Sequence, residues 1–281
     1  MTRQRLSRII TPQEETIIVN LYKSGLSGNQ ILKAIDYKVK TTKTIYDILR
    51  KWDIPRKQGP SSYNPIRHDY FSCIESKEQA YLLGFLVSDG WICSARHQIG
   101  LGVAKPDEWV VYLLKKECHP AINVILRPGG EKINPSGNLG QAQDFYQLIM
   151  SSEKMVDDLS TLGVYDKKSG REILPIISDS YQSHLFRGLL DGDGSIYQHS
   201  GGKNTCIRFI GGPHITAQIS LYLHMKLGVK YQFPNPKVET ILWYVEWFTE
   251  KDCMKIANYL YKDSQNLRIE RKYENAKNLI S

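Results

Sequence analysis

The 281-residue sequence predicts an α+β protein: a pseudo-twofold pair of αββαββα halves behind a small all-α domain. Three observations carry that expectation. Two apolar helical segments each close in Asp-Gly, and their aspartates, Asp89 and Asp193, lie 104 residues apart. After each segment the same succession of strand-like and helical patterns follows, the mark of a duplicated unit. Ahead of both, the first sixty residues show three short stretches of helical periodicity and carry most of the net positive charge.

The N-terminal elements come first. Thr11 is the expected N-cap of a helix with Pro12 at its first position and Glu14 three residues after the cap. Ile17, Ile18, Leu21 and Tyr22 form its inward side, and Gly25 ends it. Ser27 caps a second helix with Ile31, Leu32 and Ile35 inward. After the Asp36–Lys40 connection, Thr41 or Thr42 caps a third, with Ile45, Ile48, Leu49 and Trp52 inward. The opposite face of that third helix presents Thr42, Lys43, Thr44, Tyr46, Asp47, Arg50 and Lys51. A short second helix, a turn and a basic-faced third helix make the pattern of a helix-turn-helix, whose last helix enters the major groove.

Charge agrees with that reading. Of 37 basic and 29 acidic residues, residues 1–60 hold 12 and 5, leaving 25 and 24 for the rest. A polyanion-binding head on a nearly neutral body is expected, with Thr42, Lys43, Thr44, Tyr46, Asp47 and Arg50 as its DNA contacts. The head spans residues 1–58 and a linker spans 59–75, because Arg56–Pro65 is rich in breakers and lacks periodicity. A tethered second contact of this kind raises affinity through effective concentration.

Residues 76–175 and 176–281 are the two expected halves. The first begins with the helix of Ala80–Gly90 (AYLLGFLVSDG), capped by Ser76 with Gln79 three later. The second begins with His184–Gly194 (HLFRGLLDGDG), capped by Asp179 with Gln182 three later. The closing glycines stand where a left-handed helix end is expected. Small residues recur four apart: Ala80, Gly84 and Ser88 in one, Gly188 and Gly192 in the other. Such a ridge lets two helix backbones approach closely. Strand-like alternation follows at Ile99, Leu101, Val103 and at Thr205, Ile207, Phe209. Pro106 and Pro213 then open amphipathic helices, 17 and 20 residues after the respective aspartates. Further strands at Asp144–Met150 and Ile241–Phe248 precede helices starting at Glu153 and Glu250. The aromatic run Trp243–Phe248 reads as core packing of an alternating strand rather than a base-stacking platform.

Composition excludes other classes. At 41% hydrophobic and 23% charged residues the chain is an ordinary globular one. No apolar run approaches the ~20 residues of a bilayer span, and the first thirty residues hold no signal-peptide core, so no membrane partner is expected. Cys73, Cys93, Cys118, Cys206 and Cys253 are scattered without a C-x-x-C pair, and seven dispersed histidines share no ligand spacing with them. That argues for thiols in a reducing compartment over a zinc site or a disulfide framework.

The two motif segments resemble the paired motifs of the LAGLIDADG homing endonucleases in their single-chain form. The resemblance covers about residues 76–281, and its doubling with matching context makes it specific. It implies a saddle of two four-stranded sheets along the DNA major groove, with the motif helices at the centre and the active site at their lower ends. It also implies a cytoplasmic, nucleoid-associated monomer of the kind phages and mobile elements encode, acting on double-stranded DNA at a long asymmetric target.

In that arrangement Asp89 and Asp193 come together beside the scissile phosphates. Paired carboxylates at helix C-termini suit hard divalent cations, and the implied cofactor is Mg²⁺, two or more ions. The family pattern adds the carbonyls of Ser88 and Gly192 as metal contacts. It places a basic residue after the last helix of each half, here Lys168 and Lys272, to assist catalysis. Lys105, at the end of a strand, is a candidate water-orienting group whose counterpart would fall near Gly212. The sixth motif position is Val87 in one copy and Asp191 in the other, so the halves are unequal. The expected activity is site-specific double-strand DNA hydrolysis. The alternative is a catalytically silent, sequence-specific transcriptional regulator on the same fold, against which retention of both aspartates counts.

Overall fold

The computed structural model describes residues 10–35, 39, 41–55, 66–133, 139–198, 205–238 and 240–280. The chain divides into two compact units, Met1–Tyr63 and Asn64–Ser281. The expected linker stretch Arg56–Pro65 lies outside the described residues, as do Asp36–Lys38 and Lys40.

The N-terminal unit holds α1 (Pro12–Lys23), α2 (Gly28–Ala34) and α3 (Thr42–Lys51). Both expected N-caps form full capping boxes, Thr11 with Glu14 and Ser27 with Gln30. Gly25, at φ +109, turns the chain after α1. The core is Ile18, Val19, Tyr22, Ile31, Val39, Ile45, Ile48 and Leu49. The inward face of α1 differs from expectation. Ile17 is 47% exposed and Glu15 is buried in its place. The reason lies on α3: Lys51 Nζ donates to Glu15 Oε1 and Trp52 Nε1 donates to Oε2, each at 2.8 Å. A buried carboxylate with charged and neutral donors is tolerated where a bare one is not. The same bond explains why Trp52, expected inward, stays half exposed at the rim.

The second unit starts earlier than expected. Residues 66–75, assigned to the linker, belong to the body: Tyr70 and Phe71 are buried in its core. The Gln79 amide holds them, donating to Tyr70 O and Cys73 O while its oxygen accepts from Glu75 N–H. A glutamine expected to serve a cap thus fastens the preceding turn.

The first half then runs α4 (Lys77–Ser88), β1 (Trp91–Cys93), β2 (Gln98–Ala104), α5 (Trp109–Cys118), β3 (Ile125–Arg127), the hairpin β4 (Gly130–Ile133) and β5 (Leu139–Ala142), β6 (Phe145–Ser151) and α6 (Glu153–Thr161). The second runs α7 (Asp179–Gly192), β7 (Ser195–Gln198), β8 (Thr205–Gly211), α8 (Pro213–Leu227), β9 (Asn235–Pro236), β10 (Trp243–Trp247), α9 (Glu250–Tyr261) and α10 (Glu270–Ala276). The two main sheets have equivalent orders, β1-β2-β6-β3 and β7-β8-β10-β9, and every recorded pairing in them is antiparallel. The expected alternation holds: Ile99, Leu101 and Val103 of β2, and Thr205, Ile207 and Phe209 of β8, all point into the core. Val245 and Trp247 of β10 do the same.

Two local expectations are corrected. Pro106 lies in a 3-10 turn over Lys105–Asp107 and α5 begins only at Trp109, whereas Pro213 does open α8. Ser178, not Asp179, is the N-cap of α7. Asp179 is freed for Tyr222 OH, which donates to it at 2.6 Å, and for the Lys226 ammonium. Among the described residues no helix is long and apolar enough to cross a membrane.

Candidate active site

The ridge of small residues does what its spacing implies. A Cβ on Gly84 would stand 2.8 Å from Gly188 Cα, and one on Gly188 would stand 3.0 Å from Gly84 Cα and 3.1 Å from the carbonyl carbon of Tyr81. The backbones of α4 and α7 touch, so only glycine fits. At the lower end a Cβ on Gly192 would lie 2.7 Å from Ser88 Cβ and 3.2 Å from Asp89 Oδ2. Asp89 therefore sits against the end of the opposite helix. The closing glycines have another reason than the expected one. Neither Gly90 nor Gly194 has positive φ. A Cβ on Gly90 would meet Leu86 Cα at 2.6 Å, and one on Gly194 would meet Leu190 Cδ1 at 2.6 Å and Arg208 O at 2.8 Å. Crowding under the helix end selects glycine there.

Asp89 and Asp193 occupy equivalent C-cap positions, with φ, ψ of −90°, −13° and −87°, −16°. Both remain open to solvent on one side. Partial desolvation, then the negative charge of Asp193, raises the Asp89 carboxyl to about 6, against the pull of Lys272 and Lys168. Desolvation also raises Asp193, opposed first by Lys168. Partly desolvated carboxylates beside each other, at the negative ends of two helices, resist ionisation even with two lysines near, so added positive charge beside them is favourable. That is the electrostatic requirement a divalent cation meets, and hard oxygen donors suit Mg²⁺. Among the described residues no cluster of three or more His, Cys, Asp or Glu converges as a ready-made metal cage, so the fit rests on the two aspartates.

Both expected lysines are buried and both reach the helix ends. Lys168 Nζ donates to Ser88 O at 2.6 Å. Lys272 Nζ donates to the carbonyls of Leu190, Asp191, Gly192 and Gly194 at 2.7, 2.7, 3.2 and 2.8 Å. Each ammonium caps the C-terminus of its own half's motif helix, where cations are favoured. The carbonyls of Ser88 and Gly192, implied as metal contacts, are thus engaged by lysine. Burial lowers both lysines, Lys272 to about 8. Lys105 stands apart: it is exposed and its ammonium pairs with Asp144 at 3.8 Å.

Three further charges that sequence reasoning missed act on the pair, and a fourth binds one of them. Asp107 acts on Asp89, and Glu172 and Lys237 act on Asp193. Arg271 binds Asp107 at 2.6 Å. These residues carry no motif, and only folding brings them together. Asp191, noted as an asymmetry, lies fully inside: its carboxylate accepts from Tyr81 OH at 2.8 Å and Ile269 N–H at 2.9 Å. It is a buried cross-link between the halves rather than part of the open site.

In the N-terminal unit, Lys43, Asp47 and Arg50 are exposed, Thr42, Thr44 and Tyr46 partly so. Arg50 and Asp47 form an ion pair of 3.7 Å on the face expected to meet DNA.

Two equivalent four-stranded sheets and two motif helices packed backbone to backbone make the two-domain LAGLIDADG homing-endonuclease fold. Among solved structures, the chain is similar to "The homing endonuclease I-WcaI bound to its DNA recognition sequence", with TM-score 0.51, 13% identity, 78% of this chain and 95% of that chain covered. Weaker likenesses are to the I-SmaMI LAGLIDADG homing endonuclease bound to cleaved DNA (TM-score 0.42, 13% identity, 74% and 88% covered) and to the N-terminal LAGLIDADG domain of WhiA (TM-score 0.40, 13% identity, 69% and 87% covered). At such identity the likeness establishes the fold. No protein-family profile and no curated protein sequence matches the chain.

Proposed function

We propose that the chain is a site-specific, divalent-metal-dependent double-strand DNA endonuclease. One observation carries the reading: Asp89 and Asp193 are held at touching helix ends, open to solvent, with both carboxyls raised despite two nearby lysines. A protein that only packs or only binds has no use for two such carboxylates, since they repel phosphate. Support also comes from the fold of I-WcaI, a homing endonuclease bound to its DNA recognition sequence.

Asp89 and Asp193 would hold the cations, each aspartate serving one strand. Divalent ions held there would supply phosphate-charge neutralisation and an activated water. Lys168 and Lys272 fix the helix ends, and their charge keeps the carboxylates ionised as DNA excludes water. The two sheets carry the base-reading side chains for a long asymmetric target. The exposed face of α3, Lys43 and Arg50 above all, supplies a second contact in the manner of a helix-turn-helix. Its test is Lys43→Ala with Arg50→Ala, which lowers affinity and flattens its salt dependence if these side chains meet phosphate; an unchanged salt slope would remove them from the interface.

The second reading, a silent DNA-binding regulator, draws on one observation: lysine ammoniums already engage Ser88 O and Gly192 O. Incubating the protein with a DNA library in Mg²⁺ and in EDTA, and sequencing the ends, separates the two. Discrete Mg²⁺-dependent double-strand ends support the nuclease. Bound but uncut DNA in both conditions supports the regulator.

A further inference from the structure

Two contacts cross between the halves at equivalent places. After α6, the Lys168-bearing segment of the first half ends in Glu172, a buried acid. Its Oε2 accepts from Gly212 N–H at 2.8 Å, at the β8–α8 junction of the second half, while its Oε1 accepts from Gly170 N–H at 3.0 Å within its own segment. The fit is close: a Cβ on Gly212 would lie 2.6 Å from the carbonyl carbon of Gly170 and 2.7 Å from Glu172 Oε2. In the second half, the Lys272-bearing segment reaches the other way. Arg271 donates to Asp107 Oδ2 at 2.6 Å, at the β2–α5 junction of the first half. β2–α5 and β8–α8 are the same junction in the repeat. The contacts are therefore related by the pseudo-twofold, although one is an acid on a backbone amide and the other an ion pair.

Each contact also acts electrostatically on both motif-helix ends. Glu172 acts on Asp193 and Lys168, and Asp107 acts on Asp89 and Lys272. The segment that caps the Asp89 helix thus has its anchor beside Asp193. Displacing either anchor alters the field on a lysine at one motif-helix end and on an aspartate at the other.

We propose that Glu172 is a positioning residue that latches the Lys168-bearing segment to the second half, with Asp107–Arg271 as its counterpart, so that the two strand cleavages proceed together. The strand-cutting part rests on the nuclease reading above. The latch itself does not.

The test uses the full chain with Glu172→Gln, which keeps the side-chain size and one acceptor, and Glu172→Ala, which removes both. Two quantities are read: the ratio of nicked to linear product from supercoiled target plasmid, and hydrogen exchange at the Gly212 amide. The expected result is Gly212 protection reduced about tenfold or more in Glu172→Ala, consistent with loss of a buried hydrogen bond. Nicked product is expected to rise roughly tenfold or more at unchanged DNA affinity, as misplacement of a supporting group slows one strand. Glu172→Gln falls between, a partial rescue that simple destabilisation does not give. Unchanged nicking in Glu172→Ala with folding intact would overturn the coupling. If the native chain cuts no DNA, the nuclease reading fails, and unchanged Gly212 protection then overturns the latch independently.

Discussion

Tyr81 of the first half donates its hydroxyl to Asp191 of the second at 2.8 Å, inside the molecule and beside the contact of Gly84 with Gly188. Both residues are almost fully enclosed. Burial raises the Asp191 carboxyl to about 6 although Ile269 N–H, Lys272 and Tyr81 oppose the shift. The bond joins the halves beside the close approach of the two helix backbones. Tyr81→Phe is expected to destabilise the fold by about 1–3 kcal/mol, the cost of leaving a buried acceptor with one donor fewer. Urea denaturation of the variant, alone and combined with Asp191→Asn, measures the coupling. Additive losses would show that the two side chains do not interact.

Gly188 sets how closely the halves meet. In Gly188→Ala the new methyl meets Tyr81 backbone and Gly84 Cα, neither of which gives way. A loss of about 3 kcal/mol or more is expected from overpacking at a backbone contact. Gly130→Ala, where a Cβ meets nothing within 4 Å, is the matched control. Equal stability in the two variants would contradict the close approach of α4 and α7.

The two lysines predict an unequal effect. Lys272 serves four carbonyls and Lys168 one. Lys272→Ala is expected to lose roughly 3–5 kcal/mol and Lys168→Ala roughly 1–2 kcal/mol, in proportion to the buried acceptors left unpaired. Thermal or chemical denaturation orders them. The reverse order would mean that the carbonyls find other donors.

These cases mark what the sequence makes legible. Doubling is visible because helix, strand and Asp-Gly recur in the same order, and small residues four apart foretell the touching helices. The positions of Asp89 and Asp193 follow from that repeat, whereas Lys168 and Lys272 come only from the family resemblance. The work the lysines do follows from neither, since Ser88 O lies 80 residues from Lys168 and becomes its partner only by folding. Asp191 reads as a mere departure between copies, because its donors Tyr81 and Ile269 come from other elements. Glu172 and Asp107 sit in no motif at all. In the N-terminal unit, periodicity places the helices, but the burial of Glu15 depends on Lys51 and Trp52 thirty-six and thirty-seven positions away.

His184 gives a pH signature away from the open site. Arg187 donates to its Nδ1 at 2.6 Å, so the imidazole must be neutral there. Burial, then the Arg187 charge, lowers His184 to about 4 from 6.5. Between those values the unfolded chain binds the proton and the native one does not, so stability falls as pH drops from 6.5 to 4. The contribution is roughly 2–3 kcal/mol over that window. Urea titrations at pH 4.5 and 7 on the native chain and on His184→Gln measure it. An equal pH slope in both would refute the assignment.

Asp89 shows the opposite sign, and with it a trade between stability and chemistry. Its native carboxyl titrates near 6 against 3.8 unfolded, so the native state holds the extra proton between those values and loses stability as pH rises through them. Asp89→Asn is therefore expected to be more stable than the native chain at pH 7.5, by about 1 kcal/mol once solvent exposure is discounted. Native cleavage is expected to fall away below pH 6 as the carboxylate is protonated.

The most direct measurement is cleavage of supercoiled plasmid bearing the mapped target, in Mg²⁺, by the native chain, Asp89→Asn and Asp193→Asn at matched folding and DNA affinity. Loss of linear product in both variants, with binding retained, is the predicted result. Full double-strand cleavage by either variant would contradict the account.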